Sequence, residues 1–158
     1  MMRFFGRWAV VIPASVLMIA TACSGSSSST NPSTGSSSAA AGGQDVAVTL
    51  NQWVVTPSAT TVAAGSVTFT VANDGTVPHE FVVLQTDTPA ADFPIESFEG
   101  ETERFNEDTA GENVGETGDM EPGTTKTLTI DLAPGHYAFV CNLPEHYGQG
   151  MHTDFTVT

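Results

Sequence analysis

The chain has 158 residues, a length that suits one ordinary domain. It contains 18 acidic residues against 4 lysines and arginines, which gives a formal net charge of −14. This balance excludes nucleic acid as a partner, because a phosphate backbone attracts clustered basic charge and repels a chain this acidic. Two cysteines cannot form a multi-disulfide framework, and the 40% hydrophobic content is sufficient for a packed core.

The first 22 residues have the composition of a signal peptide. Arg3 and Arg7 precede an uncharged and mostly apolar run, Trp8–Ala22, that is too short to span a bilayer comfortably. Residues 20–23, Ala-Thr-Ala-Cys, resemble the lipobox of bacterial lipoproteins. The resemblance implies cleavage before Cys23 and lipidation of that cysteine. Secretion without a lipid is the alternative.

Residues 23–43 form the predicted tether. Ser24–Gly43 includes nine serines and four glycines and carries no charge, so it cannot bury enough apolar surface to offset the entropy of ordering. We expect a disordered linker that holds a folded domain clear of the membrane. The expected location is the outer face of the cell membrane, through the lipid on Cys23, or the periplasm or extracellular medium if Cys23 is not lipidated.

From residue 44 to residue 158, apolar side chains alternate with polar ones. Alternation of period two with many β-branched residues predicts half-buried strands. Turn signals that contain Gly or Pro separate these runs, and no window of eleven or more residues has a clean helical period. The pattern predicts one all-β sandwich or barrel over 44–158. The alternating positions are Val46, Val48 and Leu50; Val67, Phe69 and Val71; Leu128, Ile130 and Leu132; and Thr153, Phe155 and Val157.

The stretch Asp87–Glu121 departs from this pattern. It holds twelve of the 18 acidic residues and one arginine, with only scattered large apolar side chains. We expect a long loop or insertion with a short helical turn in it. A connection of this length suggests a role, and two interpretations stay open: a surface that recruits a basic redox partner, or a solvated acidic surface.

The predicted site is built around Cys141. With Cys23 assigned to lipidation, Cys141 is a lone thiol in an exported protein, where it escapes oxidation only if it is buried or bound. His146 and Met151 follow it at fixed spacing, and His79 lies upstream at the start of an apolar strand. Imidazole, thiolate and thioether are donors that suit copper in both oxidation states. We predict a type 1 site in which these two histidines, Cys141 and Met151 bind one copper ion.

The spacing of the predicted ligands has a geometric reason. Cys141 ends a strand, whereas His146 and Met151 occupy the loop that returns to the last strand. One loop can therefore place three ligands around one ion, and His79 would close the site from a neighbouring strand. Met151 would contribute a long, weak bond. Zinc more often has four strong Cys and His ligands and no Met.

This combination resembles the cupredoxins, the small blue copper proteins, over essentially all of 44–158. The Cys-x4-His-x4-Met spacing is similar to that of the rusticyanin and sulfocyanin branch. The resemblance implies a Greek-key β-sandwich with one copper near one end and with His79, Cys141, His146 and Met151 in the four ligand positions. It also implies one-electron transfer between larger redox partners. We expect a monomer.

Two carboxylates lie beside predicted ligands. Glu80 follows the first histidine where the family often has Asn or Ser, and Glu145 precedes the second where it often has Gly. Negative charge near the ion favours Cu(II), so either side chain would lower the reduction potential if it faced the site. Tyr147, next to the ligand loop, is expected to be exposed near the copper. The remaining expectations are Trp53, Tyr137 and Phe139 in the core, Met120 as a packing residue, and His136 and His152 on the surface.

The leading functional hypothesis is a membrane-tethered electron carrier whose partners are redox proteins, such as a basic cytochrome or an oxidase. We expect no enzymatic activity, because four protein ligands leave no open position for a substrate. The alternative is a copper-binding or copper-delivery lipoprotein, in which the metal is cargo. A third hypothesis, an adhesion or interaction sandwich, would bind no metal.

Overall fold

The computed structural model describes residues 43–98 and 101–158, without the side chains of 96–98 and 101–103. The predicted signal peptide 1–22, the lipidation site Cys23 and the tether up to residue 42 lie outside the described residues. In the part of the chain that the structure describes, no helix is both long and apolar enough to cross a bilayer. The first strand begins at Gln44, where the sequence predicts that the folded domain begins.

The described residues form eleven strands and a single helical turn. The helical turn starts after Asn106, whose side chain accepts a hydrogen bond from the backbone N–H of Asp108 and so caps it. The elements are β1 (Gln44–Asn51), β2 (Val54–Pro57), β3 (Thr61–Val62), β4 (Gly65–Asn73), β5 (Val82–Gln85), β6 (Ile95–Phe98), β7 (Glu101–Phe105), α1 (Glu107–Ala110), β8 (Glu112–Glu116), β9 (Thr125–Leu132), β10 (Gly135–Val140) and β11 (His152–Val157).

Most of these strands form two sheets. One has the order β2-β1-β4-β9, and the other has the order β3-β11-β10-β5-β8. The pairs β1 with β4 and β3 with β11 are parallel, and the other described pairs are antiparallel. Neighbours in each sheet are mostly not consecutive in the chain, so the chain crosses between the sheets as a Greek-key sandwich requires. The predicted all-β sandwich is confirmed.

The alternating residues of the sequence form the core between the sheets. Val46, Val48 and Leu50 of β1 are at most 1% exposed, as the period of two predicts. Four phenylalanine rings pack together at the centre, with ring centroids 4.4 to 6.1 Å apart. They are Phe69, Phe81, Phe139 and Phe155. Tyr137 and Phe139 are core residues, as predicted.

The outer face of β5 and β10 is also buried. All residues from Phe81 to Leu84 are inaccessible to solvent, and so are all from Ala138 to Cys141. Strands buried on both faces have continuous apolar runs rather than alternation. We call the set that buries this face the outer cluster: Val82, Leu84, Ala90, Phe93, Phe105, Ala110, Ala138, Val140 and Tyr147.

Of the two predicted alternatives for Asp87–Glu121, a long loop or an insertion, the structure shows a folded insertion. The stretch contains the hairpin β6–β7, the predicted helical turn α1, and β8, which pairs with β5 at the edge of the main sheet. The sequence does not predict β8, because an edge strand exposes most of its side chains and so lacks the alternation of apolar residues. Four of the five residues of β8 are acidic, Asn or Gly. Phe93 and Phe105 from this stretch are buried in the outer cluster. The insertion is therefore part of the folded domain.

Candidate metal centre

Three of the four predicted ligands converge at one end of the sandwich. Nδ1 of His79 lies 3.1 Å from Nδ1 of His146, and the Cys141 sulfur lies 3.2 Å from the same His146 nitrogen. The donor atoms of the three residues all lie within 4.8 Å of one another. A trigonal set of two nitrogens and one sulfur around a metal places its donors roughly 3.5 Å apart. The arrangement fits such a set.

Met151 lies beside two of these residues, Cys141 and His146. Its carbonyl accepts a hydrogen bond from the N–H of Cys141, and its own N–H donates to the carbonyl of His146. The Met151 side chain is fully buried in the main core. The returning loop therefore brings the fourth predicted ligand next to Cys141 and His146, as its spacing in the sequence predicts.

Backbone pairing fixes His79 from the opposite side. His79 and Met120 exchange two backbone hydrogen bonds, of 3.1 and 2.7 Å, in an isolated bridge. The fully buried side chain of Asn73 donates to the carbonyls of Met120 and Val77 and accepts from the N–H of Gly75. Met120 is buried, so its predicted packing role is confirmed. The sequence does not indicate this role of Asn73, because the role depends on residues brought together by folding.

Gly75 packs against the back of the His79 ring. A Cβ atom at this position would lie 2.8 Å from His79 Nε2, closer than real Cβ contacts allow. Any larger residue would therefore displace the imidazole. Among residues 43–98 and 101–158, the buried Nε2 of His79 has no hydrogen-bond partner. Nδ1, in contrast, points at the other donors.

The protonation states of the donors suit a metal ion. Burial, with the charge of His146 as a second cause, lowers the pKa of His79 to about 4, and burial also lowers the pKa of His146. Both rings are thus kept neutral, the form that can ligate. Burial raises the pKa of the Cys141 thiol to about 11, so its thiolate requires a nearby cation. A metal that binds here has to displace the thiol proton.

The chemistry of this donor set selects copper. Two imidazole nitrogens and one thiolate sulfur with a neighbouring thioether are the donors of type 1 copper sites. Cys141 is buried and forms no disulfide among the described residues, so its sulfur is available. His136 and His152 lie outside the donor group: both are partly exposed, and His136 bonds to Asp154 and to the carbonyl of Thr86.

The prediction that Trp53 belongs to the core is wrong. Trp53 is 36% exposed and has a φ of 67°, which is unusual for a bulky residue. It is the second residue of the two-residue turn between β1 and β2, a position at which several turn types have positive φ. Its ring centroid is 4.9 Å from that of His146 and 6.4 Å from that of His79, with an edge-on geometry in both pairs. Trp53 therefore covers the two imidazoles on the solvent side.

The prediction that Tyr147 is exposed is also wrong. Only 3% of Tyr147 is accessible, and its ring packs on Phe93 and Phe105. Its hydroxyl accepts from the N–H of Phe93 and donates to the carbonyl of Ala90. The sequence suggests exposure because Tyr147 follows a ligand in a loop. Burial comes from the insertion, whose fold was not predicted.

Glu80 is the carboxylate that faces inward. Its side chain is 9% exposed and accepts a 2.8 Å hydrogen bond from the N–H of Asn142, while its own N–H donates to the Cys141 sulfur at 3.4 Å. The pKa of Glu80 is raised to about 7, chiefly by burial; Glu107 and Asp119 also raise it, whereas the Asn142 bond and Arg104 lower it. Glu145, in contrast, is exposed.

Replacement of Glu80 by Gln should remove one pH dependence of the metal-free protein. A carboxyl whose pKa is 4.5 in the unfolded chain and about 7 in the fold stabilises the fold fully below pH 4.5, and this contribution is lost as pH rises through 7. Since one pKa unit corresponds to about 1.4 kcal/mol, Glu80→Gln should gain up to about 3 kcal/mol over the wild type between pH 4.5 and 8. Urea unfolding of both metal-free proteins across that range measures the difference between their free energies of unfolding. The lowered pKa of His79 gives stability the opposite pH dependence, but it is present in both proteins and cancels in the difference. Glu145→Gln is the exposed control, and an equal offset for Glu80→Gln at every pH would contradict the prediction.

Comparison with known proteins places this geometry in a family. A family model described as a cupredoxin-like domain matches residues 14–153. Reduced auracyanin from the photosynthetic bacterium Roseiflexus castenholzii is 23% identical, with a TM-score of 0.56 over 74% of this chain and 99% of that chain. Auracyanin B is 20% identical, with a TM-score of 0.51 over 73% of this chain and 88% of its own.

These likenesses to solved structures show the fold. No curated protein sequence matches significantly. The family match extends over more than half of the chain and includes all four predicted ligands. The chain belongs to the cupredoxin-like domain family.

Proposed function

We propose that this protein is a membrane-tethered type 1 blue copper protein that carries single electrons between redox partners. The observation that carries the proposal is the convergence of Nδ1 of His79, Nδ1 of His146 and the buried sulfur of Cys141 at one end of the sandwich. Bound copper would supply a one-electron Cu(I)/Cu(II) couple at this position.

The surroundings of the donors suit repeated electron transfer. Backbone hydrogen bonds hold His79, Cys141 and Met151 on strands or directly beside them, so these residues have little freedom to move when the charge of the site changes. The partly exposed His146, in contact with Trp53, lies between the buried donors and solvent. We assign no enzymatic activity, since four protein ligands would leave no position for a substrate.

The copper assignment predicts a visible spectrum that depends on one sulfur. The oxidised protein should bind one copper and show an intense thiolate-to-copper charge-transfer band, and Cys141→Ser should abolish it. Met151→Leu is the matched variant, because it removes only the weak donor and should retain copper and the band. A weak Cu(II) spectrum that Cys141→Ser leaves unchanged would contradict the type 1 site.

A second measurement distinguishes an electron carrier from a copper-delivery protein. Reversible redox cycling with slow copper loss supports a carrier, whereas rapid transfer of copper to an acceptor would favour the delivery alternative.

The proposed location follows from Cys23 and the segments around it. An apolar run precedes this cysteine and a Ser/Gly tether follows it, so the acyl chains of a lipidated Cys23 would anchor the domain. The native protein should fractionate with membranes. Cys23→Ala should release the domain or leave an unprocessed precursor, with the same copper spectrum. Recovery of the wild type in the soluble fraction with no lipid at its N-terminus would contradict this location.

The acidic insertion is our candidate for recruitment of a basic partner. Its exposed carboxylates create a negative field, which raises the encounter rate with a basic protein and is screened by salt. The exposed members are Asp87, Asp92, Asp108, Glu112, Glu116, Asp119 and Glu121.

Neutralisation of three of these carboxylates should slow electron transfer to a basic c-type cytochrome. The variant replaces Asp108, Glu112 and Glu116 by Asn or Gln, and its matched control replaces the exposed Asp45, Asp74 and Asp131 by Asn. Stopped-flow rates from about 10 mM to 1 M salt should be lower and less salt-dependent for the first variant than for the control, with both copper spectra intact. Equal rates for the two variants would indicate a solvated acidic surface.

A further inference from the structure

Each of the three converging donors is followed in the chain by a buried polar side chain. Glu80 follows His79, Asn142 follows Cys141, and Tyr147 follows His146. The three are 9%, 3% and 3% exposed. Buried polar groups are costly unless they are hydrogen-bonded, so their partners show what these positions do.

Two of these side chains bond to the insertion. The Tyr147 hydroxyl accepts from the N–H of Phe93 at 3.0 Å and donates to the carbonyl of Ala90 at 2.8 Å. Asn142 pairs with the backbone of Phe105 in both directions, at 3.2 and 3.1 Å.

Further contacts join these bonds into one network. The Asn142 amide also donates to Glu107 at 2.9 Å, while the Asn142 N–H donates to Glu80 at 2.8 Å. The ring of Tyr147 contacts the rings of Phe93 and Phe105, with centroids 5.9 and 4.8 Å away. The insertion is thus hydrogen-bonded to the ligand loop at two positions, Asn142 after Cys141 and Tyr147 after His146.

We propose that Tyr147 and Asn142 are positioning residues through which the insertion holds the loop Cys141–Met151 in its ligating conformation. The inference rests on the proposed copper site and gives the insertion a second role beside its surface charge. Apolar coverage of the sheet would be served as well by Phe as by Tyr at position 147. The Tyr147 hydroxyl adds two hydrogen bonds to the backbone of the insertion. These bonds fix the position of the loop, which burial of the ring alone would not do. Loss of such supporting bonds commonly weakens metal binding by about 10- to 100-fold.

The chain provides a matched pair of variants. Tyr147→Phe removes only the hydroxyl that bonds to Phe93 and Ala90. Tyr137→Phe removes the hydroxyl of another buried tyrosine; that hydroxyl donates to the carbonyl of Ala133 within four residues and lies away from the ligand loop. Tyr147→Phe loses two hydrogen bonds and Tyr137→Phe loses one, so a general loss of stability should appear in both variants and differ only by the extra bond.

The first measurement is amide hydrogen exchange of the metal-free full chain. Tyr147→Phe should accelerate exchange at the Phe93 N–H and at the N–H groups of Cys141 and Met151, which are hydrogen-bonded in the loop. Tyr137→Phe should leave all three protected. Faster exchange at Phe93 alone, with the loop amides unchanged, would overturn the proposal, because the insertion would then not order the loop.

The second measurement is copper release from the loaded protein to a chelator. Tyr147→Phe should release copper about tenfold faster than the wild type and alter the charge-transfer band, whereas Tyr137→Phe should do neither. Asn142→Ser, which removes the amide that bonds to Phe105 and Glu107, should also accelerate release. Equal release from the two tyrosine variants would overturn the proposal. If the wild type took up no copper, the proposed function would fail, and hydrogen exchange would still decide whether the insertion orders the loop.

Discussion

The rest of the structure depends on one constraint: a buried sulfur, a buried imidazole and a partly exposed imidazole must meet at one end of the sandwich. Burial raises the pKa of the Cys141 thiol to about 11 and lowers that of His79 to about 4, so the metal-free site prefers uncharged donors packed against one another. Such a cluster persists only if the backbone fixes it. The sandwich does this by placing Cys141 at the end of β10 and by pairing His79 with Met120.

The insertion extends this support to the loop. Without it, the outer face of β5 and β10 would be open to solvent next to the ligands, and the side chains of Asn142 and Tyr147 would lose their partners. The outer cluster closes that face with Phe93 and Phe105. The insertion therefore has acidic side chains on its exposed side and aromatic side chains on its buried side. Its surface charge and its support of the ligand loop are compatible.

The two carboxylates beside the ligands differ in their environments. Glu80 is buried and hydrogen-bonded to Asn142, and its N–H donates to the Cys141 sulfur, so its side chain lies next to the donors. Glu145 is exposed in a turn with a φ of 70°. The expected effect of negative charge on the reduction potential therefore centres on Glu80. Solvent screens Glu145 more strongly.

Sequence alone determined the fold class and which donors could form the site. Alternation in β1, β4, β9 and β11 is local, because a side chain in a strand points to one of two faces whatever the rest of the chain does. The spacing of Cys141, His146 and Met151 is local as well. Only the tertiary structure decided the environments of Trp53, Tyr147 and Glu80, since these depend on partners from 26 to 93 positions away along the chain, such as His146 for Trp53 and Asn142 for Glu80. Burial and hydrogen bonding are properties of such distant pairs, and a single sequence does not show which pairs meet.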